Sequence, residues 1–148
     1  MIKMEKKTPF KESSYINGKP MLEIMISSDN FKKKILALAD TGCDCAMLFC
    51  RKIVEKEGLI LGQKINKEPV PIAVADGHII NGDLYEMTCE INGKEEKIVV
   101  VVIDPEKFFE EEEPQIKPIE PLLGRKFLDK YDVFFKGKKK KIELYLPE

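Results

Sequence analysis

The stretch Ile35-Leu36-Ala37-Leu38-Ala39-Asp40-Thr41-Gly42 decides how this chain is read. Five apolar residues run into an acid, a hydroxyl residue and a glycine, and Asp-Thr-Gly occurs once in 148 residues. The residues before it supply a partner strand. Residues 21–26 read as a strand entered from an Asn17-Gly18 turn and left at Asp29-Asn30, and residues 33–39 return antiparallel to it. That hairpin delivers Asp40 at a strand end. Alone, the tripeptide also reads as a polar turn, because aspartate caps turns and glycine accepts positive φ.

The three residue types also suit one chemistry. Hydrolysing an amide with water needs one group to take the water's proton and another to polarise the carbonyl and protonate the nitrogen. Two carboxylates held together can do both, since one stays protonated while the other remains a base. A neighbouring glycine lets a second carboxyl and a substrate approach the backbone, and a threonine hydroxyl can fasten the loop. This chain carries one such acid, so a second copy must supply the other.

Further along, residues 49–58 place Ile53 and Val54 among charges and end at Gly58, which fits a short helix or turn. Residues 70–75 are strand-like, Asp76-Gly77 is a turn signal, and residues 79–91 resume an extended pattern with an expected break at Asn81-Gly82. Asn92-Gly93 marks a hairpin into residues 97–103, whose run Ile98-Val99-Val100-Val101-Val102-Ile103 reads as a buried strand. Residues 104–121 hold four prolines and the run 110–113 of glutamates, the composition of a surface loop. Leu122-Leu123-Gly124 leads into residues 125–131, where Phe127, Leu128 and Tyr131 have helical spacing, before a closing hairpin of residues 133–135 and 142–146.

In this order the pieces resemble the retropepsin-like aspartic proteases, the single-domain relatives of the retroviral enzymes, over residues 20–146. Four features carry the resemblance: Ala37-Leu38-Ala39-Asp40-Thr41-Gly42, the hairpin through Asp76-Gly77-His78-Ile79, the apolar strand ending at Ile103, and Leu122-Leu123-Gly124-Arg125 followed by Leu128. The joint occurrence of the tripeptide and the downstream apolar-apolar-Gly-Arg motif is the specific part. The resemblance implies a mainly β fold, a closed acid-protease barrel with one short helix and one half-site per chain. Residues 1–19 would then be an N-terminal extension and residues 20–148 the domain.

The same resemblance implies a homodimeric aspartic endopeptidase acting on a peptide or protein, with Asp40, Thr41 and Gly42 as the catalytic tripeptide. It places Asp44, Ala75, Asp76, Gly77, His78 and Ile79 against the substrate, the last four as a flap that excludes water. Leu123, Gly124 and Arg125 would support the site, with a partly buried Asp44–Arg125 ion pair. No metal or cofactor is implied. Cys43 stands where the family usually has alanine. The alternative is a silent dimer of the same fold that binds an extended peptide or a protein partner without cutting it.

Composition bounds these readings. At 43% apolar and 34% charged the chain suits one globular domain. A net charge of −1 gives no general attraction to nucleic acid or an anionic membrane. No export signal or membrane span is visible, so a cytoplasmic protein with reduced thiols is expected. Cys43, Cys45, Cys50 and Cys89 match no common paired zinc spacing and read as structural or redox-silent residues rather than ligands, although Cys43 brings a thiol within reach of the site. His78 has no adjacent nucleophile, and Lys138–Lys141 reads as a solvated turn.

Overall fold

The structure is a computed structural model and describes residues 8–73, 79–104 and 120–147. Among the described residues, ten strands and two short helices follow in order: β1 (Lys11–Ser14), β2 (Met21–Ser28), β3 (Phe31–Ala39), β4 (Met47–Cys50), α1 (Arg51–Lys56), β5 (Val70–Ala73), β6 (Ile79–Ile91), β7 (Lys94–Ile103), β8 (Leu122–Leu123), α2 (Arg125–Leu128), β9 (Asp132–Lys136) and β10 (Lys141–Tyr145). The fold is mainly β, as expected, and the described residues hold two short helices, within the two stretches read as helical, where the resemblance implies one.

The turns lie where residue chemistry requires them. Asn17 and Gly18 both have positive φ, as do Asn92 and Gly93 between β6 and β7, the backbone of tight two-residue hairpins. Alternation then fixes which side is buried. Leu22, Ile24 and Ile26 of β2 face the core opposite Ile35 and Ala37 of β3, with Ile24 directly paired to Ile35.

Seven strands form one sheet in the order β2-β3-β8-β4-β7-β6-β5, and a further β2–β6 pairing returns it on itself. The pairings therefore run in a ring, narrow at the two-residue β8 and at the β2–β6 seam. A smaller sheet, β1-β10-β9, packs beside it through Ile142 and Leu144, which are fully buried in the main core. Among the described residues no helix is long and apolar enough to cross a membrane.

Two local expectations differ from the structure. Residues 49 and 50 belong to β4, not to the helix, because Met47–Cys50 are buried and pair parallel with Val100–Ile103 of β7. Tertiary pairing there outweighs the local helical signal. Nor does β6 break at Asn81-Gly82: these residues pair with Pro71 and Val70 of β5. Gly82 serves packing instead, since a Cβ there would lie 3.1 Å from both Ile72 Cγ1 and Val101 Cγ1.

Strands buried on both faces split the interior in two. Met47, Phe49, Val100 and Val102 point into the main core, whereas Leu48, Val101 and Ile103 join Ile80 in a second, smaller cluster. Cys43, Cys45, Ile72, Leu84 and Leu122 pack against that second cluster.

A polar clamp fixes β6 to the segment before β5. Asp83 accepts from Arg51 Nη2 at 2.9 Å and lies 3.5 Å from Lys64 Nζ, while Asn66 Oδ1 accepts from the Leu84 N–H at 2.7 Å. Burial works against the Asp83 charge, yet the Asn66 amide, Lys64 and Arg51 outweigh it and hold the carboxyl below its ordinary value.

Two outcomes follow from this packing. A Cβ at Gly124, just after β8, would collide with the Cys45 carbonyl oxygen and lie 2.6 Å from that of Cys43. Gly124→Ala is expected to cost roughly 3 kcal/mol in urea unfolding, because backbone rather than a flexible side chain must move. Asp83→Asn is expected to cost about 1 kcal/mol at pH 7. A depressed folded pKa stabilises fully above the unfolded value, about 3.9, and that stabilisation is lost as the pH falls through the folded value. The deficit of Asp83→Asn should therefore shrink between unfolding curves recorded at neutral pH and at about pH 3.

Candidate active site

Asp40 emerges from β3 at a three-strand junction. Leu38 and Ala39 pair parallel with Leu122 and Leu123 of β8, and the same two leucines pair antiparallel with Leu48 and Met47 of β4. β8 is thus wedged between the strand that enters the acid loop and the strand that leaves it. The Asp40 N–H donates to the Leu123 carbonyl at 2.9 Å, so the acid's backbone is held by a residue 83 positions later in the chain.

The loop is also fastened internally. Gly42 N–H donates to Asp40 Oδ1 at 2.9 Å, and Cys43 N–H donates to the Asp40 carbonyl at 3.2 Å. The first of these ties one carboxylate oxygen back to the loop's own backbone. Asp40 is half-buried, whereas Thr41 and Gly42 are exposed at the loop's tip.

Gly124 and Arg125 close the loop from the other side. Gly124 N–H donates to the Ala46 carbonyl at 3.0 Å, and Arg125 N–H donates to the Cys43 carbonyl at 2.7 Å. The collisions that a Cβ at Gly124 would meet explain why only glycine fits under the loop. The Arg125 side chain reaches over the loop and its Nη2 donates to Asp44 Oδ1. This is the expected ion pair, but it is not partly buried: 54% of the Arg125 side chain and 78% of the Asp44 side chain remain accessible. In water such a pair orients Asp44 more than it stabilises the fold.

Asp40, Thr41, Gly42, Asp44, Leu123, Gly124 and Arg125 are therefore gathered at one place. Ala75, Asp76, Gly77 and His78 lie outside the described residues. Ile79 opens β6, pairs with Ala73 and is 69% exposed. Its neighbour Ile80 belongs to the second apolar cluster, against which Cys43 and Cys45 pack, so the base of the β5–β6 hairpin and the acid loop share one apolar wall.

Cys45 is the residue that the sequence did not single out for the site. Its sulfur lies 2.8 Å from that of Cys43. The Cys-x-Cys spacing was the available signal, because side chains two positions apart in extended chain fall on the same side. The hydrogen bond between the sulfurs lowers the Cys43 thiol below its ordinary value and, with burial, raises that of Cys45. Among the described residues no group of three or more His, Cys, Asp or Glu side chains is placed to hold a metal ion.

No family model and no curated protein matches the sequence. Among solved structures, the chain is similar to the EIAV protease complexed with the inhibitor HBY-793, at 17% identity and a TM-score of 0.53. The likeness covers 79% of this chain and 91% of the retroviral one. At that identity it is a likeness of fold: the chain has a retropepsin-like fold.

Proposed function

We propose that this protein is an aspartic endopeptidase that works as a homodimer in the cytoplasm. The observation that carries the reading is a single Asp-Thr-Gly loop, held by β8 at the end of β3, in a chain with a retropepsin-like fold. Two Asp40 carboxylates meeting across a two-fold axis would share a proton. One takes a proton from water while the other protonates the departing amine, without an acyl-enzyme. Their titration then belongs to the pair rather than to either acid.

Thr41 and Gly42, exposed at the tip, are the residues we assign to the dimer axis and to the substrate's close approach. Asp44, oriented by Arg125, is assigned to the peptide backbone together with Ala75, and residues 76–79 to a flap that closes over it. The buried cluster of Leu48, Ile80, Val101 and Ile103 backs the loop with apolar packing. Four free thiols suit a reducing compartment.

Cleavage of a diverse peptide library from acidic to neutral pH tests the reading, with a statine-type inhibitor as control. Asp40→Asn is expected to abolish every cut while the thermal midpoint changes little; cuts that persist in this variant would overturn the assignment. A dimer verified by sedimentation that binds peptides saturably without turnover would favour the silent peptide-binding alternative. For Asp44→Asn the expected result is a raised KM with an almost unchanged thermal midpoint, because its ion pair is solvent-exposed. Unaltered KM would remove Asp44 from the substrate site.

A further inference from the structure

The two thiols beside the acid loop are given no role in water activation, yet they are a directly paired set of nucleophilic groups there. Cys43 Sγ and Cys45 Sγ lie 2.8 Å apart, both residues are half-buried, and both thiols are free. A disulfide needs about 2.05 Å between sulfurs, so bond formation asks for less than about 1 Å of approach. The backbone on either side is already fixed, by the Arg125 N–H on the Cys43 carbonyl and by the Gly124 N–H on the Ala46 carbonyl. Cys50 and Cys89 differ in kind: both are fully buried, and Cys89 sits in the main core.

We propose that Cys43 and Cys45 form a redox modification site, which a low-molecular-weight disulfide such as glutathione disulfide converts to an intramolecular bond within the acid loop. The sulfur–sulfur hydrogen bond divides the roles. It favours the thiolate on Cys43, which is therefore the attacking group, and leaves the proton on Cys45.

In the first step the Cys43 thiolate attacks one sulfur of glutathione disulfide. A mixed disulfide forms, the glutathione S–S bond breaks, and one glutathione thiolate leaves and takes a proton. In the second step Cys45 loses its proton to solvent and attacks the Cys43 sulfur, expelling the second glutathione. Two protein thiols lose two electrons in total, and one glutathione disulfide is reduced to two thiols.

Asp44 is the residue enclosed by this bond. Closing the ring reorients the peptide that carries the Asp44 carboxylate and its contact with Arg125. Any effect on peptide binding rests on the functional reading above, whereas the disulfide does not.

The test uses the full-length chain in glutathione buffers of stepped oxidised-to-reduced ratio, quenched with an alkylating agent and mapped by mass spectrometry. The expected result is a reversible loss of two alkylatable thiols and two hydrogen masses, localised to Cys43 and Cys45 and retained in Cys50→Ala. Cys45→Ser should stop at a glutathione adduct on Cys43, and Cys43→Ala should form no internal bond. A bond to Cys50, a bond between chains, or both thiols remaining alkylatable at the highest disulfide ratio would overturn the proposal. Because the readout is mass, it stands apart from whether the protein cuts peptides.

Discussion

Everything at the acid loop depends on two leucines being inserted between two strands that would otherwise lie side by side. Leu122 and Leu123 accept β3 on one side in parallel and β4 on the other in antiparallel fashion. The Leu123 carbonyl holds the Asp40 N–H, and Gly124 then passes beneath the loop where no side chain fits. A loop tip is ordinarily the most mobile part of a hairpin. Here the wedge turns one into a fixed platform, with backbone hydrogen bonds on both flanks and a carboxylate at its centre.

The apolar interior is arranged around the same junction. Strand β4 and residues 100–103 of β7 are buried on both faces, and their alternating residues feed two clusters rather than one. The larger cluster holds the fold together through Phe49, Phe127 and the small sheet. The smaller one sits on the loop side and reaches Ile80 at the base of the β5–β6 hairpin. Residues that anchor the hairpin thereby touch the residues that back the carboxylate, so packing in one place constrains the other.

Much of this was legible from residue order. The β2–β3 hairpin, the Asn92-Gly93 turn and the burial of Ile98 and residues 100–103 follow from the apolar pattern and from residues that tolerate positive φ, whereas Val99, in the same apolar run, is exposed. The Asp-Thr-Gly and Leu-Leu-Gly-Arg motifs pointed to one site, and the structure brings them together. What stayed hidden depends on partners distant in sequence. A two-residue strand has no periodicity to detect, and Met47–Cys50 became a strand only because β7 lies beside it. Gly82 resembled a turn because sequence does not reveal that Ile72 and Val101 crowd its α-carbon. The Asp44–Arg125 pair was foreseen but not its exposure, which is set by what covers a surface rather than by who contacts whom.

The long interval between Asp40 and Leu123 has a consequence for synthesis. A chain emerging from the ribosome can close the β2–β3 hairpin early, because its residues are neighbours. Its acid loop, however, lacks the backbone acceptor for Asp40 until a further 83 residues, as far as Leu123, have been made, and the support of Gly124 until one more. The carboxylate is therefore set in place well after its own hairpin, and until then a growing chain presents no finished platform to the proteins around it.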